Sequence, residues 1–573
     1  MPGIVPLSLY TVRDPAQAAG LLAHVQDYAP GNVGADPVAP VSGDAGSGDG
    51  VFTMFPVARA GEWIGSFFTD WYFRVHLIPA VFDLGNLVSD QLRSLIVWSA
   101  FPGRSQTLLS ATLDNGDGIE VTAPGAMPLT FAPLQLHTWQ MGISLDGPPT
   151  IAATWTFQFA DSEIQLGNRI VPITGARVVP WTFTPDWSEG VTERLGWLTD
   201  VMGSPTRDEQ RRELRESPTR QFEARSLLTG AERTHFDVAM YAWGGRTWAL
   251  PVWPDIGWLG ARLDAGATFV PASTAGRDFV DGGLALLRAG DMEASRRYEV
   301  VEIQTVGVSG LTLERPTLQS WPRGSRLYPV RLAQLPQQPQ VRRLNEASVE
   351  VRYQFEVVEP CDWPAVAPVT LYRGLPVLEQ TPEESEPLPG DWERVLSARP
   401  NPLGYGRRTE TADTPAVLAQ HRQLLSGRTE QAQYRSLLYY LRGRFARLWV
   451  PTFAADLTLA APVLGTAAAI DVVAVDYPRY AAGKTGRRDI RVELFDGRVF
   501  HRRIDSASSV DFDTERLVLD APLGVDVAPG QVRRISFMAV SRSNTDSVEI
   551  AHLTDSDGTA RSSLIFRSLR DDL

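Results

Sequence analysis

Catalysis and metal binding need nucleophiles, acids, bases or ligands at workable spacing, so the histidines and the cysteine come first. The chain has seven histidines, His24, His76, His137, His235, His421, His501 and His552, and none forms an H-E-x-x-H or other close ligand set. They read as ordinary surface or core residues. Cys361 is the single cysteine, which excludes an intramolecular disulfide and a cysteine cage for zinc or iron–sulfur within one chain. Ala481-Ala482-Gly483-Lys484-Thr485 ends like a phosphate loop, but Pro478 occupies the first-glycine position, where the backbone must wrap the phosphate. Gly307-Val308-Ser309-Gly310 lacks the spacing of a nucleophile elbow. Asp555-Ser556-Asp557-Gly558 opens like a calcium loop, yet no glutamate follows to close the coordination shell, and a β-turn between two strands explains it better. A carboxylate pair for glycoside hydrolysis has no spacing signature, and 67 acidic residues offer too many choices to select one. These residues predict a non-enzyme, with no catalytic, cofactor-binding or metal site.

The elements around them point to β structure. Fifty-four basic against 67 acidic residues give a net charge of −13, which disfavours a generic nucleic-acid binder and an anionic lipid surface. Neither a signal peptide nor a membrane-spanning run is apparent, and one cysteine fits folding in a reducing cytoplasm. Residues 1–60, with the Gly/Pro-rich run GNVGADPVAPVSGDAGSGDG, read as an arm with a flexible tether. Over 61–187, IAATWTFQF alternates Ala153, Trp155, Phe157 and Phe159 with polar residues, and neighbouring runs are separated by turn chemistry such as Asn115-Gly116 and Asp117-Gly118. This predicts an immunoglobulin-like β-sandwich. A helical connector is expected next, with Val191, Leu195, Leu198 and Met202 forming an apolar stripe. SPTRDEQRRELRESP is expected as a solvated helix whose Arg211, Arg212 and Arg215 are interleaved with acids. Residues 359–395 read as an acidic, proline-rich linker, although Trp363 and Trp392 suggest that it packs on something.

Sliding the chain against itself by about 200 residues brings matching blocks into line. ERTHFDVAMYAWGGRTWALPVW matches EQAQYRSLLYYLRGRFARLWVPTF, pairing Phe236 with Tyr434, Tyr241 with Tyr439, Gly245-Arg246 with Gly443-Arg444, Pro251 with Pro451, and Trp253 with Phe453. Each reads as an amphipathic helix, a glycine near its C-terminal end with a cation at the negative pole, and an aromatic strand opened by proline. LTLERPTLQSWPRG and LVLDAPLGVDVAPG pair Leu311, Leu313, Pro316 and Gly324 with Leu517, Leu519, Pro522 and Gly530. SVEV at Ser348 pairs with SVEI at Ser547. The expected fold is therefore mostly β and multidomain: the sandwich, then two duplicated, barrel-like β-rich modules with one short helix each, at 188–358 and 396–573. Of the 16 tryptophans, Trp155, Trp248 and Trp253 read as core, whereas Trp243 and Trp321 are placed where an interface role is plausible.

The strings DEQRRELRESPTRQFEARSLL, WALPVWPD, LERPTLQSWPRGSRLYPVRLA and YRSLLYYLRGRFARLWVPTF resemble those of tail-tip proteins of long, flexible-tailed bacteriophages, the distal-tail and baseplate-hub class. The resemblance covers about residues 185–573, and the sandwich is compatible with the decorating domains such proteins carry. It implies a β-rich, ring-forming structural protein of the virion, assembled in the host cytoplasm, without enzymatic residues or cofactors to carry over. Some members bear a four-cysteine cluster, from which this chain departs. The implied partners are copies of itself, with a trimer favoured over a hexamer because three chains of two modules match a sixfold tail tube, together with the tail tube, other baseplate proteins and a fibre or receptor-binding protein. A carbohydrate-binding adhesin and a cell-wall or polysaccharide hydrolase of the tail are the competing functions.

Overall fold

The computed structural model describes residues 57–59, 62–64, 72–88, 90–148, 150–160, 168–289, 297–400, 402–555 and 558–570. The expected N-terminal arm and tether lie outside the described residues, apart from 57–59, as do Ser556 and Asp557 of the expected turn. The chain divides into two compact units, Met1–Val178 and Val179–Leu573.

In the first unit, alternation decides the architecture. Ile151, Ala153, Trp155, Phe157 and Phe159 of Thr150–Phe159 all point inward, so one face of that strand must meet another apolar face. Two sheets supply it. One is five-stranded, ordered Phe82–Leu87, Asn168–Arg177, Thr150–Phe159, Gln106–Asp114 and Leu129–Phe131; the other is four-stranded, ordered Val75–Ile78, Gln91–Ser99, Leu136–Ile143 and Ile119–Thr122. They share one core, in which Trp139 meets Phe157 edge-on at 5.6 Å. The Asn115–Gly118 turn joins strands of different sheets, and Gly118 is required there: its φ is +73° and a Cβ would lie 1.9 Å from the Asp146 carbonyl oxygen. The buried Arg177 guanidinium ties the adjoining loops by donating to the carbonyls of Ser144 (2.8 Å), Pro148 (2.6 Å) and Asp117 (2.9 Å). This unit closes at Val178 rather than at 187, because Val179–Pro180 pairs with a strand of the second unit and Trp181 and Phe183 pack on that unit's Phe236.

The second unit begins with β1 (Val191–Gly196), β2 (Thr219–Thr229), α1 (Gly230–Trp243), β3 (Trp248–Pro251), β4 (Phe269–Pro271), β5 (Leu284–Arg288), β6 (Tyr298–Gly307), β7 (Gly310–Leu313), β8 (Arg326–Gln334), β9 (Gln340–Arg343) and β10 (Ser348–Val357). It continues with β11 (Gly390–Glu393), β12 (Ala416–Ser426), α2 (Gly427–Leu441), β13 (Leu448–Pro451), β14 (Ala469–Val473), β15 (Asp489–Leu494), β16 (Val499–Ser509), β17 (Thr514–Leu519), β18 (Val532–Ser543), β19 (Ser547–His552) and β20 (Thr559–Ser568). The pairings recur. β2 pairs with β10 as β12 does with β20, and β3 with β8 as β13 does with β18. β5 lies between β6 and β8 as β15 lies between β16 and β18. β7 joins β4 and β6 as β17 joins β14 and β16, each with a register shift, at Ile303/Thr305 and at Ile504/Ser506. β10 joins β8 and β9 as β20 joins β18 and β19.

Several expectations are corrected. Val191, Leu195, Leu198 and Met202 are not a helical stripe: β1 is extended and buries Val191, Glu193 and Leu195, while Leu198 is exposed just before, and Met202 exposed within, a hairpin of Thr199–Gly203 with Glu209–Glu213. Apolar residues four apart satisfy a strand as well as a helix, and pairing on both edges of β1 decides for the strand. The Ser204 segment is the turn of that hairpin and caps no helix. SVEV of Ser348 lies on β10, whose counterpart is β20, whereas SVEI of Ser547 lies on β19, the counterpart of β9; that block is a coincidence of strand composition. Pro251 and Pro451 close their strands rather than open them. Trp155, Trp248 and Trp253 are buried as expected, but so is Trp321, whose indole N–H donates to Glu299 (2.9 Å).

Both strand-to-helix junctions turn through a left-handed glycine, Gly230 at φ +55° and Gly427 at φ +85°. An L side chain there costs about 1–2 kcal/mol. Gly427→Ala is expected to lower unfolding stability by that amount in urea titrations, whereas Gly245→Ala, at an open position without positive φ, should change it by less than about 0.5 kcal/mol.

Candidate assembly interface

β1 is where the two halves of the second unit meet. One edge pairs antiparallel with β2, Val191 opposite Ala224, and the other with β19, Val191 opposite His552, so one sheet continues from the first half into the second. Alternation aims Glu193 inward between two strands and a helix, where it is fully buried. Its carboxylate accepts from Arg220 Nε (2.7 Å), Arg435 Nη2 of α2 (3.2 Å) and His552 Nε2 of β19 (2.9 Å). Arg220 also reaches Asp278, which takes Arg331 Nε at 3.0 Å. Asp255 in turn accepts from Arg428 (3.2 Å) and Arg435 (3.3 Å). Acids of the first half thus hold basic residues of the second. Burial pushes the Glu193 carboxyl up, but the guanidiniums of Arg220 and Arg435 outweigh it and hold it well below the usual carboxylate range. For Asp278 burial again acts upward and Arg220 and Arg331 prevail, bringing it to about 2.

Apolar packing completes the contact. Leu195 and Trp197 join Leu437, Leu438, Tyr439 and Leu441 of α2 and Val548 and Ile550 of β19 in one cluster. Trp197 meets the Tyr439 ring edge-on at 5.7 Å, and the Tyr439 hydroxyl donates to the Cys361 carbonyl at 2.5 Å. The hairpin expected as a solvated helix caps the end of α2: Arg211 Nη1 donates to the Arg444 carbonyl (2.6 Å), and Glu213 pairs with Arg442 (2.7 Å). The expected linker is a packed strap. Trp363 donates to Ser436 (3.0 Å) under the Arg435 guanidinium, Leu378 is buried, and Glu379 binds Arg491 (2.9 Å).

The residues singled out by repetition fall into two kinds. Gly443 and Arg444 lie in the interface: Gly443 has φ +63°, a Cβ on it would approach Asp546 Oδ1 to 2.4 Å and Trp197 Cβ to 3.1 Å, and Arg444 donates through its backbone N–H to Asp546 (2.9 Å). Gly245 and Arg246 occupy the corresponding end of α1, but Gly245 is exposed and Arg246 lies over the Trp243 ring at 4.3 Å. Pro251, Trp253, Pro451 and Phe453 are buried; Trp253 packs on Tyr328, and Phe453, at φ +55°, lies beneath Arg491 and Arg534. Sequence reading missed Glu193, Arg220, Asp255, Asp278, Arg428 and Arg435, and took His552 for an ordinary surface or core histidine. The period-2 text Val191-Thr192-Glu193-Arg194-Leu195 carries the one usable signal, an acid on the inward parity of a strand.

This arrangement joins surfaces: guanidiniums hold the central carboxyls of Glu193 and Asp278 ionised, whereas burial pushes the carboxyl of Glu359, beside Arg331, up. A cleft of about 630 Å³ between the strap and α2 is lined by residues such as Val366, Leu378, Gln433 and Leu437, and its single ionisable group is Glu379, already bound to Arg491. Among the described residues no group of three or more His, Cys, Asp or Glu could hold a metal ion, and no helix is long and apolar enough to cross a membrane.

No family model and no curated protein matches the chain. Among solved structures, the secreted serine protease VesC from Vibrio cholerae is 8% identical over 48% of each chain with a TM-score of 0.15, so the chain spans about half of that protease's length. Tripeptidyl peptidase 2 is 8% identical over 86% of this chain and 31% of its own, with a TM-score of 0.16. At these scores neither likeness carries an argument about fold or activity.

Asp278 gives the cluster a pH signature. Its folded pKa of about 2 lies below the unfolded value near 4, so its stabilisation is present above about pH 4 and lost as pH falls toward 2. Asp278→Asn is expected to destabilise the protein at pH 7, and its stability gap from wild type should narrow by about 2 kcal/mol between pH 5 and pH 2 in chemical denaturation series.

Proposed function

We propose that the chain is a structural component of the tail tip of a long-tailed bacteriophage, built from an immunoglobulin-like sandwich and two tandem copies of one barrel-like module, at 188–358 and 396–573. The observation that carries the duplication is the recurrence of the strand–helix–strand order and of its pairings, down to the shifted register beside β7 and β17. What supports an assembly role is the use to which the copies are put. They are lateral neighbours in one continued sheet, joined by a buried ionic cluster and an apolar seam, the kind of contact from which rings are made. The tail-tip assignment itself rests on the sequence resemblance. In this reading three chains present six quasi-equivalent modules to the sixfold tube, and the sandwich is left for other baseplate, fibre or receptor-binding partners.

Two measurements test it. Native mass of the assembled protein should give three times the 63.0 kDa chain. Gold-labelled antibody against the sandwich should mark the tail end of phage particles produced by cells making this protein. Six copies per ring would overturn the trimer, and unlabelled particles would overturn the tail-tip assignment.

A further inference from the structure

The contact between the two halves uses three surfaces with recognisable counterparts: the outer edge of β1, the outer edge of β19 and the α2 face carrying Tyr439. Each counterpart is left uncovered by the chain. β11 pairs with β12 as β1 pairs with β2; Gly390 is opposite Ala419 where Glu193 is opposite Phe222, so β11 is the β1 of the second half. β9 pairs with β10 as β19 pairs with β20, so β9 is the β19 of the first half. Among the described residues β9 and β11 each have one partner strand, and every side chain on both is exposed. Tyr241 on α1 is 97% exposed, whereas Tyr439, its counterpart, is 7% exposed beneath Trp197.

We infer that a second copy of this chain covers these surfaces: β11 of one molecule adds antiparallel to the outer edge of β9 of the next, repeating between chains the contact that β1 and β19 make within one. This rests on the tandem-repeat reading, not on the tail-tip assignment. The register follows from the internal contact. Glu193 is opposite Ile550, Arg194 opposite Glu549 and Leu195 opposite Val548, which places Gly390 opposite Val341, Asp391 opposite Gln340, and Trp392 opposite Pro339 of the neighbour.

That register sorts the side chains by chemistry. On one face Trp392, 69% exposed, meets Pro339 and Val341, the latter 54% exposed. Burying a tryptophan and a valine against each other is what an edge needs to hold a partner beyond its ladder hydrogen bonds. On the other face Asp391 stands opposite Gln340 and diagonal to Arg342, within reach of an arginine side chain. Acid on β11 and base on β9 make the two free edges complementary, and they repel an edge of their own kind. Gly390 replaces Glu193, so no buried carboxylate forms between chains: the internal contact is permanent, and the external one is held by its apolar face and rim charges.

Directional crosslinking tests this. Asp391→Cys and Gln340→Cys place thiols on opposed positions of different edges, and neither position lies in the core. Mixed under mild oxidation, the two single variants should give a disulfide-linked dimer on non-reducing gels, and each alone should not. Arg342→Glu should weaken self-association several-fold at low salt in native mass titrations, and Arg342→Glu with Asp391→Arg should restore it. A crosslink absent from the mixture, a wild type that remains a monomer, or an Arg342→Glu variant that assembles normally overturns the inference. Labelling of virions is unaffected by these outcomes, so a failure here leaves the tail-tip reading standing, and unlabelled virions with a positive crosslink leave this contact standing.

Discussion

The second unit depends on a strand paired on both edges whose inward side chain is a carboxylate. Glu193 sits where three basic side chains converge, two guanidiniums and the His552 imidazole, and it belongs to one half of the unit while Arg435 and His552 belong to the other. A buried acid without those partners would cost several kcal/mol, as would the guanidiniums without the acid. The halves therefore have one satisfactory placement, and β1 enforces it by hydrogen-bonding to both. The hairpin that follows β1 and the strap that crosses α2 are set by that placement, because their polar groups end on α2: Arg211 on the Arg444 carbonyl, Glu213 on Arg442, Trp363 on Ser436.

The same placement accounts for the differences between the matched helices. α2 lies between its own sheet and β1, so residues on both of its faces are buried, Arg435 and Tyr439 among them. α1 packs on its own sheet through Phe236 and presents Val238 and Tyr241 outward. The glycines at their ends diverge for the same reason. Gly443 accommodates Asp546 and Trp197, and Gly245 has nothing to accommodate. Position in the chain, more than local sequence, decides which copy of a shared feature is constrained.

Charge is used differently inside and outside the molecule. Within the chain, acids and arginines are buried in a network in which nearly every carboxylate oxygen has a partner, and such networks contribute specificity of alignment more than net stability. At the free edges Asp391, Arg342 and Arg343 remain in solvent, where their interactions are weak singly and screened by salt. The net charge of −13 adds general repulsion between copies, so association of chains must come from local complementarity.

Much of the fold was legible in the sequence. Strict alternation in Thr150–Phe159 fixed a half-buried strand, because only one parity carried apolar side chains. The paired blocks around Gly245-Arg246 and Gly443-Arg444 marked where α1 and α2 end, although α2 ends through left-handed Arg442 and Gly443 and α1 through a right-handed Gly244. The histidine spacing, the single cysteine and Pro478 led to the expectation of a chain without a compact metal set, a cysteine cage or a phosphate loop. What the sequence left undecided lies where a residue's partner is distant in the chain. Val191-Thr192-Glu193-Arg194-Leu195 satisfies a helix and a strand locally, and only pairing with β2 and β19 selects the strand. Glu193, Arg220, Asp278 and Arg435 look in sequence like solvated charges; a charge is buried or exposed according to what packs over it, and here that is the other half of the unit. The two SVE blocks matched in letters and not in place, because strand composition repeats more readily than strand position, and position is set by the hydrogen-bonded neighbour.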